Sequence, residues 1–419
     1  EHGRTLARRA SERLVVAAER AIARGDRRAQ VNLLSRACAL LPKDDRLRLE
    51  QLAELGDALT ELGEFTRAET VLLEAIAAAA AADSPRIEAR ARISLSEVRY
   101  STVPGDIAEQ RLEAERAIPV LEQAGDELGL ARAWDLLAAL HHGQGRTAAA
   151  QEGWERSIEH ARRAGSRRDE LSGLTWLASV ALWGPTPRVQ ARERCEEILE
   201  RVKGHLDEEA HVLALLGCLS ALEGRFDDAR ALHARRSAIF DELGLEVTSA
   251  WASHTAGWVE MLAGDAAAAG RILRRGYETL ERTGARTQLQ VVGSYLARAL
   301  TMQGRYREAE GLALSIEQLD PTGIAEIALA RGARAKAVAE LGRGEEGERL
   351  GREAVALIDR TEFLIDRADT RMDLAEVLRL ADRLDEAAEL LAEAEQLHEQ
   401  KGNVVSAERT QALLADLAR

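Results

Sequence analysis

Aromatic residues are scarce in this 419-residue chain, which carries six Trp, four Tyr and four Phe. A β-sandwich or barrel draws far more heavily on aromatic and β-branched side chains, so that class is excluded. Proline is rarer still, with seven, and Ala, Leu, Arg and Glu dominate, which are the strong helix formers. This composition predicts an all-α protein. Only three cysteines occur, Cys38, Cys195 and Cys218. Their number and scatter exclude a disulfide framework and a CxxC zinc site. They point to a reducing compartment, with the cytoplasm as the expected location. No stretch approaches the roughly 18 uninterrupted apolar residues of a membrane-spanning helix, and the longest low-polarity run, Ile76 to Ala82, is short and alanine-rich. The first residues, EHGRTLARRASER, lack the apolar core of a signal peptide and have no initiator Met, so the numbering is expected to begin inside a longer polypeptide.

Net charge is −14, which disfavours nonspecific nucleic-acid binding by the chain as a whole. Residues 1–46 run against that balance, with eleven Arg or Lys against six Asp or Glu. We read this stretch as a solvated first helix pair docking on an acidic upstream domain rather than as a phosphate-binding arm. Neither nucleic acid nor membrane is expected as a partner.

Internal periodicity decides the fold. A Gly followed two and five residues later by a bulky and a small residue recurs at Gly63-Phe65-Ala68, Gly224-Phe226-Ala229 and Gly304-Tyr306-Ala309. Weaker copies start at Gly145, Gly264 and Asp382. With Gly25, Gly105, Gly184 and Gly342 the punctuation falls at 25, 63, 105, 145, 184, 224, 264, 304, 342 and 382, in steps of 38 to 42 residues. A second series, Gly125, Gly165, Gly204, Gly244, Gly284 and Gly323, is offset by half a period. Two turns per repeat separate two helices, with Gly where a helix C-terminus needs positive φ. Small residues seven before and five after the turn glycine (Gly56 and Ala68, Gly217 and Ala229, Gly257 and Ala269, Ala138 and Ala150) let the paired helices approach closely. Pro104, Pro185 and Pro187 fall in turns within hairpins, and Pro42, Pro85 and Pro321 between hairpins. Pro119 falls inside a helix, where a kink or an early stop is expected.

This spacing of small residue, turn Gly, aromatic and Ala resembles the tetratricopeptide repeat, although each hairpin here exceeds the usual length of about 34 residues. Such long repeats are similar to those of large regulatory ATPases of the maltose-regulon activator type. The resemblance implies an all-α, tetratricopeptide-like right-handed superhelix, an α-solenoid of about ten helical hairpins over residues 1–419, with 403–419 as a capping helix. The first helix of each pair then lines the concave wall. Several segments, among them LARAWDLLAALHHGQGR (130–146), ALWGPTP (181–187), AGDAAAAGRILRRGYETLE (263–281), DLAEVLRLADR (373–383) and KGNVVSAE (401–408), resemble the repeat tail of multidomain regulators that join a class III adenylate/guanylate cyclase and an AAA-type or STAND-type ATPase. That resemblance implies a regulatory tail. No GxxxxGK[ST] phosphate loop and no cyclase carboxylate motif is present in the sequence, so any ATPase or cyclase activity would lie upstream of Glu1.

Neither a GxSxG elbow nor an HExxH motif occurs, and the chain is expected to be no enzyme. No cofactor and no metal are expected: His211 and Cys218 stand seven apart on one helix without a third ligand. One asymmetry stands out. All six Trp (134, 154, 176, 183, 251 and 258) and seven of the nine His lie between residues 134 and 258. Trp134, Trp154 and Trp183 read as packing residues. Counted from the turn glycines, Trp251, His254 and Trp258 share the inward face of one first helix. His211 and Cys218 take equivalent places one hairpin earlier, Asp135 and His142 further back, and Arg298 one hairpin later. These eight are the candidate lining of a concave groove that binds a protein or peptide segment, or the parent protein's own ATPase domain, in signal transduction. A small-molecule effector sensor is the alternative. An enclosed space of several hundred Å³ near Trp258 would favour the sensor, and an open trough the peptide.

Overall fold

A computed structural model describes residues 2–22, 25–103 and 105–418. Pro104, Glu1 and Arg419, on which sequence expectations fell, lie outside the described residues. No strand occurs among the described residues. The hairpins are α1 (His2–Ile22) with α2 (Arg27–Ala39), α3 (Arg46–Glu61) with α4 (Phe65–Ala81), α5 (Pro85–Thr102) with α6 (Ile107–Ala124), α7 (Glu127–Gly143) with α8 (Thr147–Ala164), and α9 (Arg167–Trp183) with α10 (Arg188–Val202). They continue as α11 (Leu206–Ala221) with α12 (Phe226–Leu243), α13 (Glu246–Trp251) and α14 (Ser253–Leu262) with α15 (Ala266–Thr283), α16 (Arg286–Met302) with α17 (Tyr306–Leu319), α18 (Ile324–Glu340) with α19 (Gly344–Ile358), and α20 (Leu364–Leu380) with α21 (Leu384–Lys401). A last helix, α22 (Val404–Leu417), follows them.

Most of the punctuating glycines hold the left-handed conformation the period demands, Gly304 with φ +73° for example, and Asp382 does so with φ +59°. Two do not, and a proline explains each. Gly184 is extended because it precedes Pro185, which disfavours the helical region for its predecessor. Gly323 has φ −74° and begins α18, while Asp320, extended before Pro321, ends α17. Pro119 does not stop its helix, which runs on to Ala124. Positions 115 and 119 are both exposed, so water can satisfy the carbonyl that Pro119 leaves without a donor. The seventh hairpin's first helix breaks at Ala252, whose carbonyl accepts bonds from Arg236 Nη1 at 2.6 Å and Thr255 Oγ1 at 2.8 Å.

The small residues sit where paired helices touch. A Cβ on Gly257 would lie 2.4 Å from Cγ of the fully buried Leu273, whereas one on Gly311, mid-helix in α17, would meet nothing within 4 Å. Gly→Ala therefore has opposite signs at these sites. Gly311→Ala stabilises by about 0.5–1 kcal/mol through helix propensity and reduced unfolded-state entropy. Gly257→Ala destabilises by about 1–3 kcal/mol through overpacking. Urea unfolding of the two variants checks this, and equal shifts would contradict the packing.

The superhelix winds back onto itself. Arg27 of the first hairpin pairs with Asp207 of the sixth at 3.1 Å. In the third, the Gly105 N–H donates to Asp320 Oδ1, beyond the eighth, at 3.1 Å. Past the ninth hairpin, the Glu362 N–H donates to the Gly145 carbonyl in the turn of the fourth at 2.8 Å. Hairpins five apart thus meet along a seam, and the inner wall faces itself.

Candidate functional site

The central Trp and His residues form a continuous column of rings inside this closed coil. Trp154 and Trp176 stack with centroids 5.3 Å apart and planes 3° apart. Trp176 adjoins Trp251 at 5.9 Å, Trp251 adjoins His254 at 5.3 Å, and His254 lies 6.1 Å from Trp183. Trp183 meets Trp258 edge-on at 5.6 Å. His142 fills the angle between Trp154, Trp176 and Phe363. Burial pushes His142 and His254 down to about 4, so both rings are neutral at pH 7. Offset and edge-on pairs of this kind add about 0.5–1.5 kcal/mol each beyond the apolar area they bury.

The column runs between two cavities. The first, of about 270 Å³, is lined from α3, α5, α7, α9, α11 and α13, with Arg27 of α2 and Ser157 of α8. Arg132 stands at its centre, with Nη1 2.7 Å from Asp57 and 3.0 Å from Glu54, and Nε 3.5 Å from Asp169. Asp135 accepts the Trp154 indole N–H at 2.9 Å. Burial pushes Asp135 up to about 7, with Asp169 adding to the rise, and it pushes Glu208 up to about 7, with Asp207 adding. Glu97 is raised well above the carboxylate range by burial and by Asp57 and Asp135.

The second cavity, of about 790 Å³, lies toward the C-terminal end. All three methionines of the chain, Met261, Met302 and Met372, line it beside Trp258. Thioethers are flexible and polarizable, and they adapt to ligand shape. Charges of both signs share the wall: Arg298 binds Asp369 at 2.8 Å and approaches Asp373 at 3.7 Å, and Arg379 binds Glu376 at 2.8 Å. The Lys336 ammonium is close enough to Asp373 and Glu376 to favour their charged forms.

The eight residues chosen from the sequence are therefore distributed, not gathered in one groove. Asp135 and His211 line the smaller cavity, and Trp258 and Arg298 the larger. His142, Trp251 and His254 belong to the column, where ring packing occupies their faces. Cys218 does not reach the concave surface. It is fully buried, with Sγ 4.0 Å from His233 Nε2, because α11 is apolar on nearly every side. Sequence reasoning missed the Arg132 cluster and the three methionines. Asp57, embedded in Leu55-Gly56-Asp57-Ala58-Leu59, was the available signal for the cluster.

Burial raises all three thiols, Cys38 to about 11 and Cys195 to about 12, so none is activated as a nucleophile. Among the described residues no group of three or more His, Cys, Asp or Glu is placed to hold a metal ion. No described helix is long and apolar enough to cross a membrane.

These buried acids predict a pH profile. Asp135, Glu208, Glu326 and Asp366 are each pushed to about 7 by burial. Between about pH 4 and 7 they hold protons when folded and lose them when unfolded, so they make stability fall as pH rises through that window. The buried histidines act oppositely, but only below about pH 6.5, their unfolded value. Between pH 6.5 and 8 the four carboxyls outweigh Lys401, whose ammonium burial pushes down to about 7 and which acts in the opposite sense, and stability should drop by about 1–2 kcal/mol. Urea unfolding at the two pH values reads this directly; equal or greater stability at pH 8 would contradict it.

No protein-family model matches the chain, and no curated protein sequence does either. Among solved structures it is similar to a Rap protein complexed with Competence and Sporulation Factor, with TM-score 0.63 and 15% identity over 86% of this chain and 100% of that one. Weaker likenesses are to yeast Tom70, with TM-score 0.41 and 12% identity over 96% of this chain and 88% of that one. Another is to a STAND ATPase with a tetratricopeptide repeat sensor from Pyrococcus horikoshii, with TM-score 0.43 and 13% identity over 83% of this chain and 54% of that one. The fold is an all-α, tetratricopeptide-like solenoid.

Proposed function

We propose that the chain is a noncatalytic regulatory scaffold that takes a short peptide, or a loop of a protein partner, into the larger cavity beside Trp258. The observation that carries this is the cavity itself: about 790 Å³, with thioethers, an indole edge and charges of both signs on one wall. Apolar side chains and backbone or side-chain charges of a peptide both find partners there. The Rap protein that shares this fold was crystallised in complex with Competence and Sporulation Factor, which supports a binding role for the fold. Following the resemblance drawn from the sequence, the scaffold serves a cytoplasmic signalling protein and reports binding to ATPase or cyclase domains of the same polypeptide.

A small-molecule effector is the second reading. The cavity's volume of about 790 Å³ favours it, since that is the size of space that takes up a small molecule.

Selection from a random heptapeptide display library on the immobilised chain tests the first reading. Met302→Trp, which fills the cavity from its exposed rim, should weaken the selected peptides at least tenfold with helicity and unfolding midpoint unchanged, and Lys336→Met should weaken them at least tenfold with helicity unchanged. Peptides that bind both variants as tightly as the parent would place the site elsewhere. A library that yields no binder, with a metabolite raising the midpoint in the parent but not in Met302→Trp, would favour the effector.

A further inference from the structure

Two sequence segments that the fold and the cavities leave unexplained, ALWGPTP and KGNVVSAE, meet each other in space although more than 200 residues separate them. The cause lies in the first. Helix α9 ends in Gly184-Pro185-Thr186-Pro187, and Pro185 occupies the position whose N–H would have bonded the Ala181 carbonyl. Lys401, with no exposed surface, supplies what the prolines cannot. Its Nζ donates to the carbonyls of Ala181 at 2.8 Å, Gly184 at 2.8 Å and Thr186 at 2.6 Å, which uses all three ammonium protons. The positive charge also lies at the negative end of the α9 dipole.

The same pattern repeats along the next eight residues. The Val404 N–H donates to the Leu222 carbonyl, at the end of α11, at 3.0 Å. Arg409 Nη2 donates to the Leu262 carbonyl, at the end of α14, at 3.0 Å. In return the Gly402 carbonyl accepts from Arg188 Nε at 2.9 Å. Three donors from one short stretch thus cap the C-terminal ends of three successive inner helices. The helix they anchor, α22, presents Ser406, Arg409 and Leu413 to the larger cavity, together with Asn403, which caps its N-terminus. Beneath it lies Met372, whose sulfur is 3.6 Å from Thr410 Oγ1 and 3.5 Å from His398 Nε2.

We propose that residues 401–409 are a latch and that α22 is the lid it holds over the C-terminal cavity, so that release of the latch opens the cavity together with the part of the seam between the fifth and tenth hairpins. This holds whichever ligand the cavity takes.

Hydrogen–deuterium exchange on the full chain, with and without Lys401→Met, tests it. Expected is at least tenfold faster exchange in Val404–Leu417 and in residues 178–184 together, with the first three hairpins unchanged. Peroxide oxidation of Met372, followed by mass spectrometry against the exposed Met302 as internal control, should accelerate by a similar factor. Unchanged exchange in α22, or a uniform rise along the chain, would overturn the latch. Should Lys401→Met fail to fold, the parent decides: under native conditions with low urea, α22 and residues 178–184 should open together before the tenth hairpin, and opening only with global unfolding would overturn the proposal.

Discussion

Replacing Trp154 with alanine should cost about 3–5 kcal/mol, the range for removing a fully buried aromatic from a packed core. Trp154 has no exposed surface, it stacks on Trp176, and its N–H is the donor to Asp135. The alanine variant therefore opens a cavity in the ring column and strips Asp135 of its hydrogen bond. Trp154→Phe separates these effects: most of the volume stays, the donor is lost, and the cost should fall to about 1–2 kcal/mol. Because that bond favours the ionised form of Asp135, its loss raises the carboxyl further, and the phenylalanine variant should recover stability as pH is lowered. Chemical denaturation of both variants at two pH values checks this. An alanine variant within 1 kcal/mol of the parent would show that the column does not support the fold.

Arg132→Met should be comparably severe, about 3–5 kcal/mol at pH 8, since it leaves Glu54, Asp57 and Asp169 facing one another without their shared cation. Those carboxylates come from α3 and α9, so the guanidinium ties together hairpins two, four and five. Without it their pKa values rise, the folded state binds protons that the unfolded state does not, and the deficit should shrink as pH falls toward 5. Unfolding of parent and variant across that range measures it. A loss of the same size at pH 8 and pH 5 would mean that lost packing, not uncompensated charge, is the cause.

The helix pairs were legible because a turn every twenty residues needs a residue that tolerates positive φ, and glycine marks it. Where the mark misled, at Gly184 and Gly323, a neighbouring proline had changed the local geometry. The chemical distinctness of the central hairpins was equally legible in the Trp and His counts. What the residues there do was not, because spacing within a helix shows which side chains share a face but not what that face meets. Trp251 and His254 point inward as their register implies. They meet other rings because the superhelix closes after five hairpins, and that pitch arises from small rotations summed over repeats rather than from any local pattern. Cys218 failed for another reason: α11 is apolar on nearly all sides, so periodicity selects no inner face. The acids around Arg132 looked like ordinary surface carboxylates, and only the seam makes them interior.

The closed seam is the claim on which both cavities, the ring column and the latch depend. Spin labels at Ala148→Cys and Arg360→Cys measure it, since both positions are exposed, flank the contact between Ala148 N and Glu362 at 2.8 Å, and the three native cysteines are buried. A closed coil predicts a single narrow distance distribution below about 25 Å, whereas five hairpins stacked at 8–10 Å per helix layer in an open spiral would give a broad one centred at about 40 Å or beyond. The second result would contradict the account.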